Sequence, residues 1–230
     1  MQKAKYDLYL KHNSHPNIII QVVGINTLKM RDDLFQKEQF IPYLSDTIIK
    51  NATLKYDGLD FFDYNLPLLR YKTNSHLLAD SFVSLIEFGN LFKDKYKYKG
   101  YEAYDKVWDT SFDVFKKSYP NGRKYKINKE SLKLFDNYLR EEKQKGTFLV
   151  IVFSPTYIES QKYVNNRTEL IDTYKKFSKK YDIPFFDYSS NALTTDKINF
   201  YNSQHLNKKG AELFSIILCA DLNKILNKQK

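Results

Sequence analysis

The chain has 230 residues, 42% of them hydrophobic and 16% aromatic, which places it among globular proteins and excludes a disordered chain. Its 37 basic and 27 acidic residues leave a formal charge of +10, but the lysines are spread along the sequence instead of gathering in one stripe. No apolar run is long enough for a membrane-spanning helix, and the polar start Met1-Gln2-Lys3-Ala4-Lys5 lacks the apolar stretch of a signal peptide.

As written, the sequence predicts a cytoplasmic chain. The lone Cys219 excludes an intrachain disulfide and thiolate zinc clusters, and its place on an apolar helix predicts a small core residue. His12, His15 and His76 share no metal-ligand spacing with carboxylates, so neither metal nor cofactor is expected. The joint abundance of Lys, Asn, Ile and Tyr fits a base-composition bias of the source genome, so nucleic acid is not the expected partner.

In chain order, a helical end at Tyr6-Asp7-Leu8-Tyr9-Leu10-Lys11 leads to Pro16. The run Asn17-Ile18-Ile19-Ile20-Gln21-Val22-Val23-Gly24 follows. Its nearly unbroken β-branched residues predict a strand covered on both faces, as in a parallel sheet. It ends in the polar turn Gly24-Ile25-Asn26-Thr27, at the end of a strand where open α/β sheets bind ligands.

Residues 31–123 are the least patterned. Within them Leu77, Leu78, Phe82, Leu85 and Ile86 predict an amphipathic helix over 74–92. Lys93-Asp94-Lys95-Tyr96-Lys97-Tyr98-Lys99 offers basic and aromatic side chains of the kind that stack single-stranded bases, but reads more simply as a solvated loop. The expected organisation is one α/β domain over 1–230, with 31–123 an insertion over the sheet's carboxyl end, as a lid. Asp60 and Asp63 flank aromatics without suggesting a shared site.

Further on, Leu132, Phe135, Tyr138 and Leu139 predict a helix over 128–145 closed by Gly146. Thr147–Phe153 then forms a second apolar strand, stopped by Ser154-Pro155. A helix over 166–181 follows, with Leu170, Ile171, Tyr174 and Phe177 on one face. A third strand runs from Ile183 to Tyr188, and the last helix begins at Asn207 and buries Phe214, Ile217, Leu218, Leu222 and Ile225. Strands alternating with helices mean parallel crossovers and helices on both faces. The strand at Ile18 has the pattern of a central strand but no earlier strand to sit beside. A partner covering it, or a missing beginning of the chain, is therefore expected.

Asn202-x-x-His205-Leu206-Asn207-x-x-Gly210-Ala211 resembles the last block of SGNH (GDSL-type) hydrolases, where Asp-x-x-His precedes a helix. Gly24-x-Asn26 after an apolar strand resembles their third block, Gly-x-Asn. The resemblance covers the Ile18 strand and residues 128–226, roughly half the chain. It implies a flavodoxin-like sheet whose N-terminal strands are missing here, with the chain as the C-terminal part of such a protein. It also implies ester hydrolysis or acyl transfer on a small-molecule or glycan acyl ester, acetyl esters included, and full-length relatives that are exported or membrane-anchored.

In that family a serine attacks the acyl carbon, the last-block histidine takes its proton, and the aspartate three residues earlier orients the imidazole. Carried over, His205 is the base, Asn202 holds the orienting position and Asn26 donates to the oxyanion. Two departures stand out: an amide replaces the carboxylate at 202, and no Gly-Asp-Ser or Gly-Asn-Ser block occurs, so the chain as written is expected to be impaired. Ser154, at the tip of the second strand, is a weak substitute nucleophile, and Asp187 is a carboxylate that could reach His205 in place of the lost one.

Other readings stay open at this point. His205 can simply bond a carbonyl at a helix start, Asn26 can be a plain turn residue and Asn202 a loop cap. The whole chain can be a non-catalytic binding module of the same fold, or a basic protein that binds polyanions.

Overall fold

The computed structural model describes residues 1–67, 69–71, 97–98, 101–102 and 104–227. The helix expected over 74–92, His76 and most of the Lys93–Lys99 segment lie outside them. The chain divides into two compact units, Met1–Pro16 with Met30–Lys97, and Asn17–Lys29 with Tyr98–Lys230.

The first unit holds helices α1 (Gln2–His12), α2 (Thr47–Thr53) and α3 (Phe61–Asn65). Ala4, Leu34, Phe40, Leu44 and Ile49 form its buried core. Local capping starts the short helices. Asp46 Oδ1 accepts from Ile48 N–H at 2.8 Å, and Asp60 and Asp63 exchange side-chain and backbone bonds in a capping box at α3. The two aspartates that the sequence left without a role are therefore the residues that start a helix.

The second unit is mixed α/β. Strands β1 (Ile18–Val23), β2 (Phe148–Phe153) and β3 (Phe185–Asp187) lie in the order β1-β2-β3, all parallel, with Ile18 beside Phe148 and Ile151 beside Phe185. Helices α4 (Ser111–Ser118), α5 (Lys129–Gln144), α6 (Ile158–Gln161), α7 (Arg167–Tyr181) and α8 (Lys208–Asn227) belong to this unit. Residues 98–123, which sequence pattern groups with the insertion, fall in the sheet unit here, while the N-terminal helix falls in the other.

The two faces of the sheet follow from alternation along the strands. Val23, Leu149, Ile151 and Phe153 pack with Phe135 and Leu139 of α5 and Ile171 and Tyr174 of α7. Val150 and Val152 face the other way, toward Phe214, Ile217, Leu218, Leu222 and Ile225 of α8. Helices on both faces follow from β2 having no polar side. The column Ile18, Ile20 and Val22 of β1 shares the α8 face by register, yet it remains 43%, 39% and 49% exposed.

The helix ends match the sequence signals. Asn128 Oδ1 caps α5 by accepting from Ser131 N–H at 3.0 Å, and Gly146 closes the helix in the left-handed region at φ 80°. Asn207 Oδ1 caps α8 by accepting from Gly210 N–H at 3.0 Å. Cys219 departs from expectation: it is exposed, because its helical position points away from the face that α8 turns to the sheet. Among the described residues no helix is long and apolar enough to cross a membrane.

Candidate functional site

His205 does not lie in an open loop. It begins β5 (His205–Leu206), which pairs antiparallel with β4 (Phe200–Asn202), so the histidine sits at the mouth of a tight hairpin just before α8. Asn202 closes that hairpin with its side chain. Its Oδ1 accepts from Gln204 N–H and His205 N–H, both at 3.0 Å, and lies 2.9 Å from His205 Nδ1.

This arrangement determines a tautomer. Two backbone donors on Oδ1 settle which end of the amide points inward, since the NH2 end cannot accept. The ring nitrogen facing the same oxygen must then be the donor, Nδ1–H. The lone pair is left on Nε2.

The ring environment keeps that lone pair available. His205 is exposed, but Tyr201 stacks on it with centroids 5.4 Å apart and planes at 13°. Loss of water around the ring holds its pKa below the ordinary histidine value, and the Asp109 carboxylate pulls in the opposite direction. The net direction favours the neutral imidazole over the imidazolium.

Asp109 is the nearby carboxylate that sequence reasoning missed. Its backbone N–H donates to Tyr201 C=O at 2.9 Å, and its Oδ1 accepts from Ser111 N–H at 2.9 Å and Ser111 Oγ–H at 2.5 Å, where α4 begins. The available signal was an Asp-Thr-Ser helix start, which marks a cap but not a neighbour. Asp187 does not take the role proposed for it. Its Oδ1 is engaged by Ser189 N–H at 3.0 Å and by Ser189 Oγ–H, which turns it along its own loop.

Asn26 lies in the turn after β1. Thr27 Oγ1 accepts from Gly24 N–H at 2.9 Å, while Gly24 C=O accepts from Thr27 N–H at 3.3 Å and from Tyr174 O–H at 2.9 Å. The backbone is thus fastened from two sides, and Asn26 is exposed, its amide taking no part in that fastening. Ile25 and Gln204, the neighbours of Asn26 and His205, line one cavity together with Phe153, Thr156, Ser160 and Ser203. Its volume of about 20 Å³ has room for little more than a water molecule.

Neighbours of both predicted segments thus line one cavity, but neither Asn26 nor His205 is among its lining residues. The structure joins His205 to Asn202 by a hydrogen bond and leaves Asn26 outside that bond network. Ser154 ends β2 with its N–H donating to Val23 C=O at 3.2 Å and is not bonded to the imidazole.

Gly210 seats the hairpin on the helix. A Cβ there would stand 2.0 Å from Asn199 C=O, so only glycine lets the first turn of α8 approach this closely. Asn207 reinforces the contact, its Nδ2 donating to Ile198 C=O at 2.8 Å. Among the described residues no group of three His, Cys, Asp or Glu side chains is placed to hold a metal ion. Compared with protein-family models, curated proteins and solved structures, the chain matches none.

Proposed function

We propose that the sheet unit carries an acyl-ester site of SGNH type, in which His205 Nε2 is the general base, Asn202 orients the ring and Asn26 donates to the oxyanion. The observation that carries this reading is the Nδ1–H···Oδ1 bond at 2.9 Å, which leaves Nε2 as the free base. As a hydroxyl oxygen bonds to the acyl carbon, Nε2 takes its proton. The tetrahedral oxyanion then collapses, and the leaving alkoxide takes the proton back from Nε2.

With water as the attacking group the outcome is hydrolysis, and with a second alcohol it is acyl transfer. An amide at 202 cannot stabilise the imidazolium as a carboxylate does, and an Asp-to-Asn change in a serine-protease triad lowers turnover by ~10⁴. The Asp109 charge offsets part of that loss. Without a Gly-Asp-Ser or Gly-Asn-Ser block among these residues, no serine is assigned as nucleophile, and slow turnover is expected.

The test is saturable hydrolysis of 4-nitrophenyl acetate between pH 5 and 8. The reading expects a rate that rises as His205 loses its proton and disappears in His205→Ala. Turnover that is indifferent to His205→Ala would refute it. The amide in place of a carboxylate at 202 favours a second reading, a binding module that keeps the cleft without the chemistry; saturable ligand binding with no turnover would select it.

A further inference from the structure

We propose that Tyr104 and Tyr201 form a sugar-binding platform beside His205, so that the acyl group handled there is carried on a carbohydrate. The proposal deepens the acyl-ester reading and rests on it for the position of the scissile bond. Tyr201 touches both neighbours: its ring stacks on His205, and the Tyr104 ring lies 6.0 Å away, tilted by 36°. Tyr104 is 47% exposed, although its backbone is well anchored.

Two backbone hydrogen bonds hold the segment, one to the start of α8 and one to the hairpin. Lys208 N–H donates to Tyr104 C=O at 2.8 Å, and Asp109 N–H donates to Tyr201 C=O at 2.9 Å. With the backbone anchored, an aromatic ring has only its two side-chain torsions left to lose on binding.

A pyranose presents one face of C–H bonds, which packs on aromatic rings, and a rim of hydroxyls that need both donors and acceptors. Asp109 supplies an acceptor whose charge reaches His205, and Lys106 supplies a donor, its Nζ 5.2 Å above the Tyr104 ring on an exposed side chain that a sugar can displace and then bond. The same rings could stack nucleobases, but two features oppose nucleic acid. The tilted pair offers a bent surface, not one flat plane, and the Asp109 carboxylate repels a phosphate backbone.

The experiment is a chemical-shift titration of the full chain with neutral tetrasaccharides of glucose, N-acetylglucosamine, mannose and galactose, and separately with oligothymidylate. The proposal expects at least one tetrasaccharide to shift the His205 and Tyr201 signals saturably, with affinity falling about five- to tenfold in Tyr104→Ala and recovering in Tyr104→Phe. That result supports the platform whether or not 4-nitrophenyl acetate is turned over, so a failure of the esterase reading is scored separately. No saccharide response, a response equal in Tyr104→Ala, or salt-sensitive binding of oligothymidylate alone overturns the proposal, even in a protein that hydrolyses esters.

Discussion

Two turns at the carboxyl end of the sheet each carry an asparagine, and they are built in opposite ways. In the β4–β5 hairpin the Asn202 carbonyl is loaded with three donors, and Gly210 lets a helix press against the backbone. In the turn after β1 the fastening is done by Thr27 and Tyr174, and the Asn26 side chain is left at the surface. Side-chain oxygen used to close a turn is structure first. A side-chain amide that the turn does not use is free for a ligand. The proposed function accordingly gives the same residue type an orienting part in one place and a donating part in the other.

The largest way to break this contrast is through the glycines. Gly210→Ala drives a Cβ into the Asn199 carbonyl and is expected to cost about 3 kcal/mol in urea unfolding. Gly24→Ala meets nothing within 4 Å and is expected to stay within about 0.5 kcal/mol. Equal effects at the two positions would show that the hairpin is not pressed on its helix. Next in size, Asn202→Ala strands three donors and is expected to cost about 2 kcal/mol, whereas Asn202→Asp keeps them and raises the His205 pKa by adding a negative charge.

Tyr174→Phe removes one of two donors to Gly24 C=O and is expected to cost about 1 kcal/mol, read by the same unfolding curves. Asn26→Ala closes the series. It is expected to leave stability within about 0.5 kcal/mol while lowering ester turnover about 100-fold, the scale of one lost oxyanion donor. A fall in stability without a fall in turnover would make Asn26 a turn residue after all.

The pH response follows from the depressed His205 pKa. The folded state binds fewer protons than the unfolded state between the folded pKa and the ordinary value of 6.5. Stability therefore rises with pH through that interval and is lost as pH falls, and His205→Gln should remove this part of the profile. Melting curves across pH 5 to 8 check the sign.

Most of the sheet unit could be read from the sequence because its signals are local. The apolar runs at Ile18, Phe148 and Phe185 became strands, and the 3.6-residue spacing of Phe135, Leu139, Leu170 and Tyr174 became the faces that pack on them. Exposure was not legible. β1 and β2 are both strongly apolar, but Val150 and Val152 lie under α8 while Ile20 and Val22 do not, and neighbours across space decide that.

The same limit explains the site. Asn202 and His205 are three residues apart and could be paired on spacing, but the hairpin was missed because a side-chain oxygen closes it in place of a glycine turn. Asp109 and Tyr104 are held beside the hairpin by long-range backbone bonds to Tyr201 and Lys208, and no periodicity announces those.

The central claim is tested most directly by the nitrogen signals of the His205 ring, recorded through a pH titration of the wild-type chain and Asn202→Ala. The account predicts the Nδ1–H tautomer and a midpoint below 6.5, with the tautomer preference lost in the variant. A proton on Nε2, or a midpoint above that value, would contradict it.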